Sequence, residues 1–131
     1  MAIPICHIVS AGPCKRLDLT LGEHDLLIAA DGGYAHCIEA GFAPQYFIGD
    51  LDSLSPRLAA AIDCEQIVLP CDKDDTDTLA ACKEGMRRGY SEFRIHAALG
   101  GDVGHEIANL QLLAFLSERE AHGVLYGDSQ E

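Results

Sequence analysis

The chain alternates short apolar, β-branched runs with segments of helical periodicity. "IPICHIVS" (3–10), "LLIAA" (26–30), "QYFIG" (45–49), "EQIVLP" (65–70), "FRIHAAL" (93–99) and "HGVLYG" (122–127) read as strands. Several are apolar at consecutive positions, which fits strands covered on both faces. Between them, "YAHCIEAG" (34–41), "SPRLAAAI" (55–62), "DTLAACKEGMRRG" (77–89) and "HEIANLQLLAFLSER" (105–119) read as helices. In the third, Leu79, Cys82 and Met86 share one helical face before Gly89. In the fourth, Ile107, Leu110, Leu113, Ala114 and Leu116 are expected to face a core. This alternation predicts a doubly wound α/β fold, a mainly parallel sheet of about six strands with helices on both faces. Residues 11–25 show no clear period and read as a functional or covering loop.

Length and charge narrow the options. A chain of 131 residues is expected to form one α/β domain over 1–131. A formal net charge of −12 repels nucleic acid backbones and anionic membranes, so neither is an expected partner. A polyphosphate substrate would need a divalent cation to screen it. No apolar stretch reaches the roughly 18–20 residues of a membrane span. The start, "MAIPICHIVSAG", lacks the basic region and long apolar core of a signal peptide, and a cytoplasmic protein is expected. Cys6, Cys14, Cys37, Cys64, Cys71 and Cys82 form no CxxC pair and fall mostly in apolar segments, as reduced core thiols do.

Ligands of open parallel sheets bind beyond the carboxyl ends of strands, where strand order reverses. Four successive strand ends here carry carboxylates and glycines. Asp31-Gly32-Gly33 reads first as a helix-starting turn, with Asp31 as cap and a glycine taking a positive φ. The other reading is a backbone that a phosphate can approach at a helix N-terminus. Asp50 and Asp52, with Ser53 beside them, exceed what a turn needs. Two carboxylates so placed suit Mg²⁺, which takes one or two and fills its shell with water and phosphate oxygens.

In "DKDDTD" (72–77), acidic residues and Thr76 suit a first helical turn. Four carboxylates are more than capping requires, however. Asp77 and Lys73 therefore read as functional, the lysine as a point charge for a phosphate oxygen. Asp75 reads as a capping residue, and Asp72 and Asp74 fit either role. Gly100-Gly101 precede His105 and Asn109, a pair at helical spacing that reads equally as surface residues or as a cleft-facing face. Asn109 stands where the zinc-protease pattern HExxH needs its second His. There is no GxxxxGK[ST] and no GxGxxG, and Leu54 breaks the DxDx[TV] pattern of aspartyl-phosphate enzymes.

The ordered set ADGG (30–33), GDLDS (49–53), DKDDTD (72–77) and GG…H…AN (100–109) resembles thiamine pyrophosphokinase, specifically its catalytic domain, over roughly residues 26–116. The resemblance implies an α/β fold and transfer of a pyrophosphoryl group from ATP to the thiamine hydroxyl, giving thiamine diphosphate and AMP. It implies Mg²⁺ held by Asp50, Asp52 and Asp77, the catalytic carboxylates. Asp31, Gly32, Gly33, Ser53, Lys73, Thr76, Gly100, Gly101, His105 and Asn109 would then bind ATP or substrate. It also implies a homodimer, and a C-terminal β-sandwich domain that this chain is expected to lack. The family usually reads GGRxDH where this chain has Asp102 for the phosphate-facing Arg and Gly104 for the acidic residue. That charge reversal implies weaker binding or turnover. The residues alone leave two other readings, a nucleotide- or metal-binding module without turnover and a Mg²⁺-dependent phosphohydrolase.

Overall fold

A computed structural model describes residues 3–49, 55–60, 62, 64–67, 76–101 and 103–127. Its elements are β1 (Ile5–Val9), β2 (Leu26–Ala30), α1 (Gly33–Ala40), β3 (Tyr46–Ile48), α2 (Pro56–Ala60), β4 (Glu65–Ile67), α3 (Asp77–Arg87), β5 (Glu92–Leu99), α4 (Val103–Glu118) and β6 (His122–Gly127). The six strands form one sheet in the order β4-β3-β2-β1-β5-β6, every neighbouring pair parallel. The alternation of apolar runs and helical segments thus carries through to the expected doubly wound fold. The expected strand over 65–70 is described only to Ile67, and positions 68–70 lie outside the described residues.

The chain steps outward from β1 to β4, then returns to place β5 on the other side of β1. Crossovers between parallel strands are right-handed, so reversing the direction of travel moves the helices to the opposite face. One face accordingly packs α1 and α2 against Val9, Leu27, Ala29 and Phe47. The other packs α3 and α4 against Cys6, Ile8, Ile28, Phe93 and Ile95. The β1–β2 connection has no helix, and Leu17 and Leu19 from its loop cover the first face instead. Residues 11–25 are therefore a covering loop for half their length. Cys6, Cys37 and Cys82 are buried core residues, and burial pushes the Cys6 and Cys37 thiols up to about 12.

The expected inner face of α4 needs correction. Leu112 and Leu116 are buried, as is Asn109, whereas Ile107 and Leu110 are about half exposed and Ala114 is exposed. The helix is apolar on both sides, so periodicity does not select a face. The choice falls to Asn109, whose side-chain amide donates to the Ala98 carbonyl at 2.9 Å and turns Leu112 and Leu116 toward the sheet. At the far end of α3, buried Glu84 accepts from both Arg87 and Arg88. Burial alone would raise the Glu84 carboxyl, but the two guanidiniums outweigh it and hold the group below its ordinary value. Arg88 also lies over the Tyr46 ring and donates to its hydroxyl, tying α3 to β3.

Candidate active site

Strand order reverses between β1 and β5, and a cleft of about 550 Å³ opens beyond their carboxyl ends. That volume lies within the range of small-molecule sites, at the place where open parallel sheets put them. Its walls come from the segment after β1 (Ser10 to Pro13), the end of β2 (Ala30, Asp31), the first turn of α3 (Thr76, Asp77, Thr78), the end of β5 (Ala97, Ala98, Gly101) and α4 (Glu106, Asn109).

Two backbone departures shape it. The pairing of β5 with β6 slips between Ile95 and Leu99, and within that bulge Ala97 has φ 56°. Bulges bend a strand and re-aim its residues, here bringing Ala97 and Ala98 onto the cleft wall. Gly12 closes on the bulge, donating its N–H to the Ala97 carbonyl at 2.9 Å. The second departure is Asp31, at φ 55°. The sequence suggested that Asp31 caps α1 and that a glycine takes the positive φ. Instead Gly32 is the cap residue, with ordinary right-handed angles and no side-chain hydrogen bond, and Asp31 itself takes the left-handed conformation. Asp is one of the few residues that adopt it readily. Gly33 is needed for a close approach, because a Cβ there would stand 1.8 Å from the Val9 carbonyl oxygen. The space left by that missing side chain is taken by β1.

The Asp31 backbone and the Asp77 carboxylate both approach Gly49. This glycine has φ 149°, and a Cβ on it would lie 3.0 Å from Asp31 Cα and 3.2 Å from Asp77 Oδ2. Asp31 is held there by its N–H, which donates to the Ile48 carbonyl at 2.8 Å. Asp77 opens α3, whose cap is Thr76, with Thr76 Oγ1 accepting from the Leu79 N–H at 3.1 Å. Thr76 therefore lines the cleft with its hydroxyl oxygen already engaged. Asn109 also lines it, with its amide nitrogen spent on Ala98.

Of the other expected site residues, Gly101 lines the cleft and Gly32, Gly33 and Gly100 do not. Gly100 stands just behind, its N–H bonded to Glu106 Oε2 at 2.7 Å. His105 lies in the first turn of α4. Asp50, Asp52, Ser53 and Lys73 lie outside the described residues, as do Asp72, Asp74, Asp75 and Asp102.

Among the described lining residues, Asp31, Asp77 and Glu106 are acidic and none is basic. Such a cleft repels a phosphate unless a cation intervenes. Carboxylates on these walls are the hard oxygen donors that Mg²⁺ accepts. No group of three ligating side chains is placed to hold an ion among the described residues. Asp50 follows Gly49 directly in the sequence.

Sequence reasoning missed Ser10, Thr78 and Glu106. The strand-end rule finds Ser10 once it is applied to β1, because Ser-Ala-Gly-Pro comes directly after that strand. Thr78 and Glu106 carried no such signal, each being one polar residue in the first turn of a helix.

Known proteins match this chain in sequence and in fold. Residues 17–125 match the family described as "Thiamin pyrophosphokinase, catalytic domain". The thiamine pyrophosphokinase of Bacillus subtilis (strain 168) is 31% identical over 113 residues, covering 82% of this chain and 53% of that protein. The crystal structure titled thiamine pyrophosphokinase from Bacillus subtilis superposes with a TM-score of 0.79 at 27% identity, over 92% of this chain and 59% of the other. That titled thiamin pyrophosphokinase from Geobacillus thermodenitrificans gives 0.76 at 29%, over 92% and 58%. The yeast thiamin pyrophosphokinase shares the fold at 0.71 and 15% identity, over 98% and 59%. The chain thus spans about half the length of the curated relative it matches.

Proposed function

The chain belongs to the thiamin pyrophosphokinase catalytic-domain family, and from that membership we propose that it carries the ATP-binding half of a Mg²⁺-dependent pyrophosphoryl transfer to the thiamine hydroxyl, giving thiamine diphosphate and AMP. The observation that carries this reading is that Asp31 and Asp77 both line the cleft and both approach Gly49, the residue directly before "DLDS". On this reading Asp50, Asp52 and Asp77 hold the metal and Asp31 completes the acidic cluster. Ser53 and Lys73 stand near the phosphates, with Thr76, Gly101, His105 and Asn109 along the nucleotide.

Mg²⁺ bound there would neutralise phosphate charge that the acidic walls otherwise repel. The residues do the rest by position. The bulge at Ala97 and the Gly12 contact shape the wall against which a nucleotide would lie, and α3 presents Asp77 at a fixed height above the sheet. A carboxylate of the cluster accepts the proton of the attacking thiamine hydroxyl. Holding the acceptor hydroxyl in line with the transferred group supplies most of the remaining catalysis. On this reading the protein acts in the cytoplasm as a homodimer.

A second reading, nucleotide binding without turnover, is favoured by Asp102 standing where the family pattern has a phosphate-facing Arg. AMP formation separates the two. AMP that appears from Mg²⁺ and ATP only when thiamine is present supports transfer. Nucleotide binding without AMP supports the binding module, and phosphate release without thiamine would indicate a phosphohydrolase.

A further inference from the structure

The segment after β1 contributes a hydroxyl that the proposed chemistry does not use. Ser10 Oγ and Thr78 Oγ1 are 2.5 Å apart, at the short end of hydroxyl hydrogen bonds. Both residues are buried, at 4% and 8% exposure, yet both reach the cleft wall. Thr78 directly follows Asp77. Ser10 belongs to the middle of the sheet, where its own N–H donates to the His96 carbonyl on β5 at 2.8 Å.

We infer that Ser10 and Thr78 are a positioning pair, which sets the Asp77 carboxylate over Gly49 for metal binding by locking the first turn of α3 to the end of β1. This rests on the metal reading proposed above. Two other anchors of α3 act differently. The Thr76 cap is a bond within the helix itself. Ala80, Ala81 and Cys82 pack into the core, and apolar contacts tolerate sliding and rotation. A buried hydroxyl pair tolerates only a few tenths of an ångström, because the bond weakens steeply with distance and angle. A Cβ on Gly49 would stand 3.2 Å from Asp77 Oδ2 and 3.0 Å from Asp31 Cα, so the first turn of α3 sets how Asp77 meets the turn after β2. Holding a ligating carboxylate by a neighbour that never touches the metal is how supporting residues tune such sites.

The test is a calorimetric titration of the full chain with Mn²⁺, an octahedral, oxygen-seeking stand-in for Mg²⁺. The proteins are wild type, Asp77→Asn, Ser10→Ala, Thr78→Val, Thr78→Ser and the Ser10→Ala/Thr78→Val double variant, each shown folded by circular dichroism at the titration temperature. Ser10→Ala and Thr78→Val should each weaken Mn²⁺ binding about tenfold. Thr78→Ser should bind as wild type does, and the double variant should be no weaker than either single. A purely structural role predicts lower melting temperatures with unchanged Mn²⁺ affinity, and that result overturns the inference. So do losses that simply multiply in the double variant. If Ser10→Ala does not fold, the near-isosteric Thr78→Val and the hydroxyl-retaining Thr78→Ser decide the matter between them. Failure of the underlying reading looks different, since wild type would then bind no Mn²⁺, or Asp77→Asn would bind like wild type.

Discussion

His7 and His96 share a hydrogen bond between adjacent strands, Nδ1 to Nε2 at 3.1 Å, while His7 Nε2 faces Asp25 Oδ2 at 3.3 Å. With Asp25 ionised, His7 carries its proton on Nε2, so its Nδ1 accepts and His96 donates. A proton added to His7 would set two N–H groups against each other. Burial first, and the facing ring and Arg94 next, push His96 down to about 4, and burial also lowers His7. Burial would raise the Asp25 carboxyl, but the Gly22 and Ile5 N–H groups and His7 hold it low.

Both rings are therefore less basic in the folded protein than in the unfolded chain. The unfolded chain binds more protons below the ordinary histidine pKa of 6.5, so stability is complete above that value and drains as pH falls toward 4. The loss should reach on the order of 3 kcal/mol across the window. Urea midpoints at pH 7.5 and pH 4 measure it. His96→Phe, which keeps a ring against Tyr126, should flatten the slope.

Gly33→Ala should be among the most damaging single changes. Its Cβ would need the space of the Val9 carbonyl, and only a shift of α1 away from β1 can supply it. We expect a loss of about 3 kcal/mol or more, since overpacking against backbone has no flexible neighbour to yield. Chemical denaturation of the purified variant reports it directly.

Asn109→Leu keeps the size of the side chain and removes its donor. The Ala98 carbonyl then loses a partner in a buried place, which costs about 1–3 kcal/mol. Because the same bond turns α4, the variant should also alter the exposure of Ile107 and Leu110. Hydrogen exchange along α4 would show faster opening than in wild type.

Glu84→Ala leaves Arg87 and Arg88 without their shared acceptor, but both guanidiniums reach solvent. The expected loss is therefore only about 1–2 kcal/mol, below the cost of stranding a buried charge. It should not change the chemistry of the cleft, which lies at the opposite end of α3. A thermal melt beside a nucleotide-binding assay separates these effects.

The fold was legible because consecutive apolar runs and segments of helical period alternate along the chain, and a parallel sheet with right-handed crossovers leaves few topologies. The strand-end rule also pointed to Asp31, Asp77 and Asn109, all of which line the cleft. What the pattern could not carry was orientation. The α4 helix is apolar all round, so only the Asn109 bond reveals its inner face. Asp31 takes its left-handed turn with its N–H bonded to the Ile48 carbonyl of another strand, a contact no local pattern announces. Ser10 and Thr78, separated by 68 positions, become a pair only when β1 and α3 meet.

The central claim is that Asp77 belongs to an acidic site which binds nucleotide through a divalent cation. Titrating ATP into the chain by calorimetry, with Mg²⁺ and again with EDTA, for wild type and Asp77→Asn, tests it most directly. The account expects binding by wild type only when Mg²⁺ is present, and its loss in Asp77→Asn. Equal binding with EDTA, or binding untouched by Asp77→Asn, would contradict it.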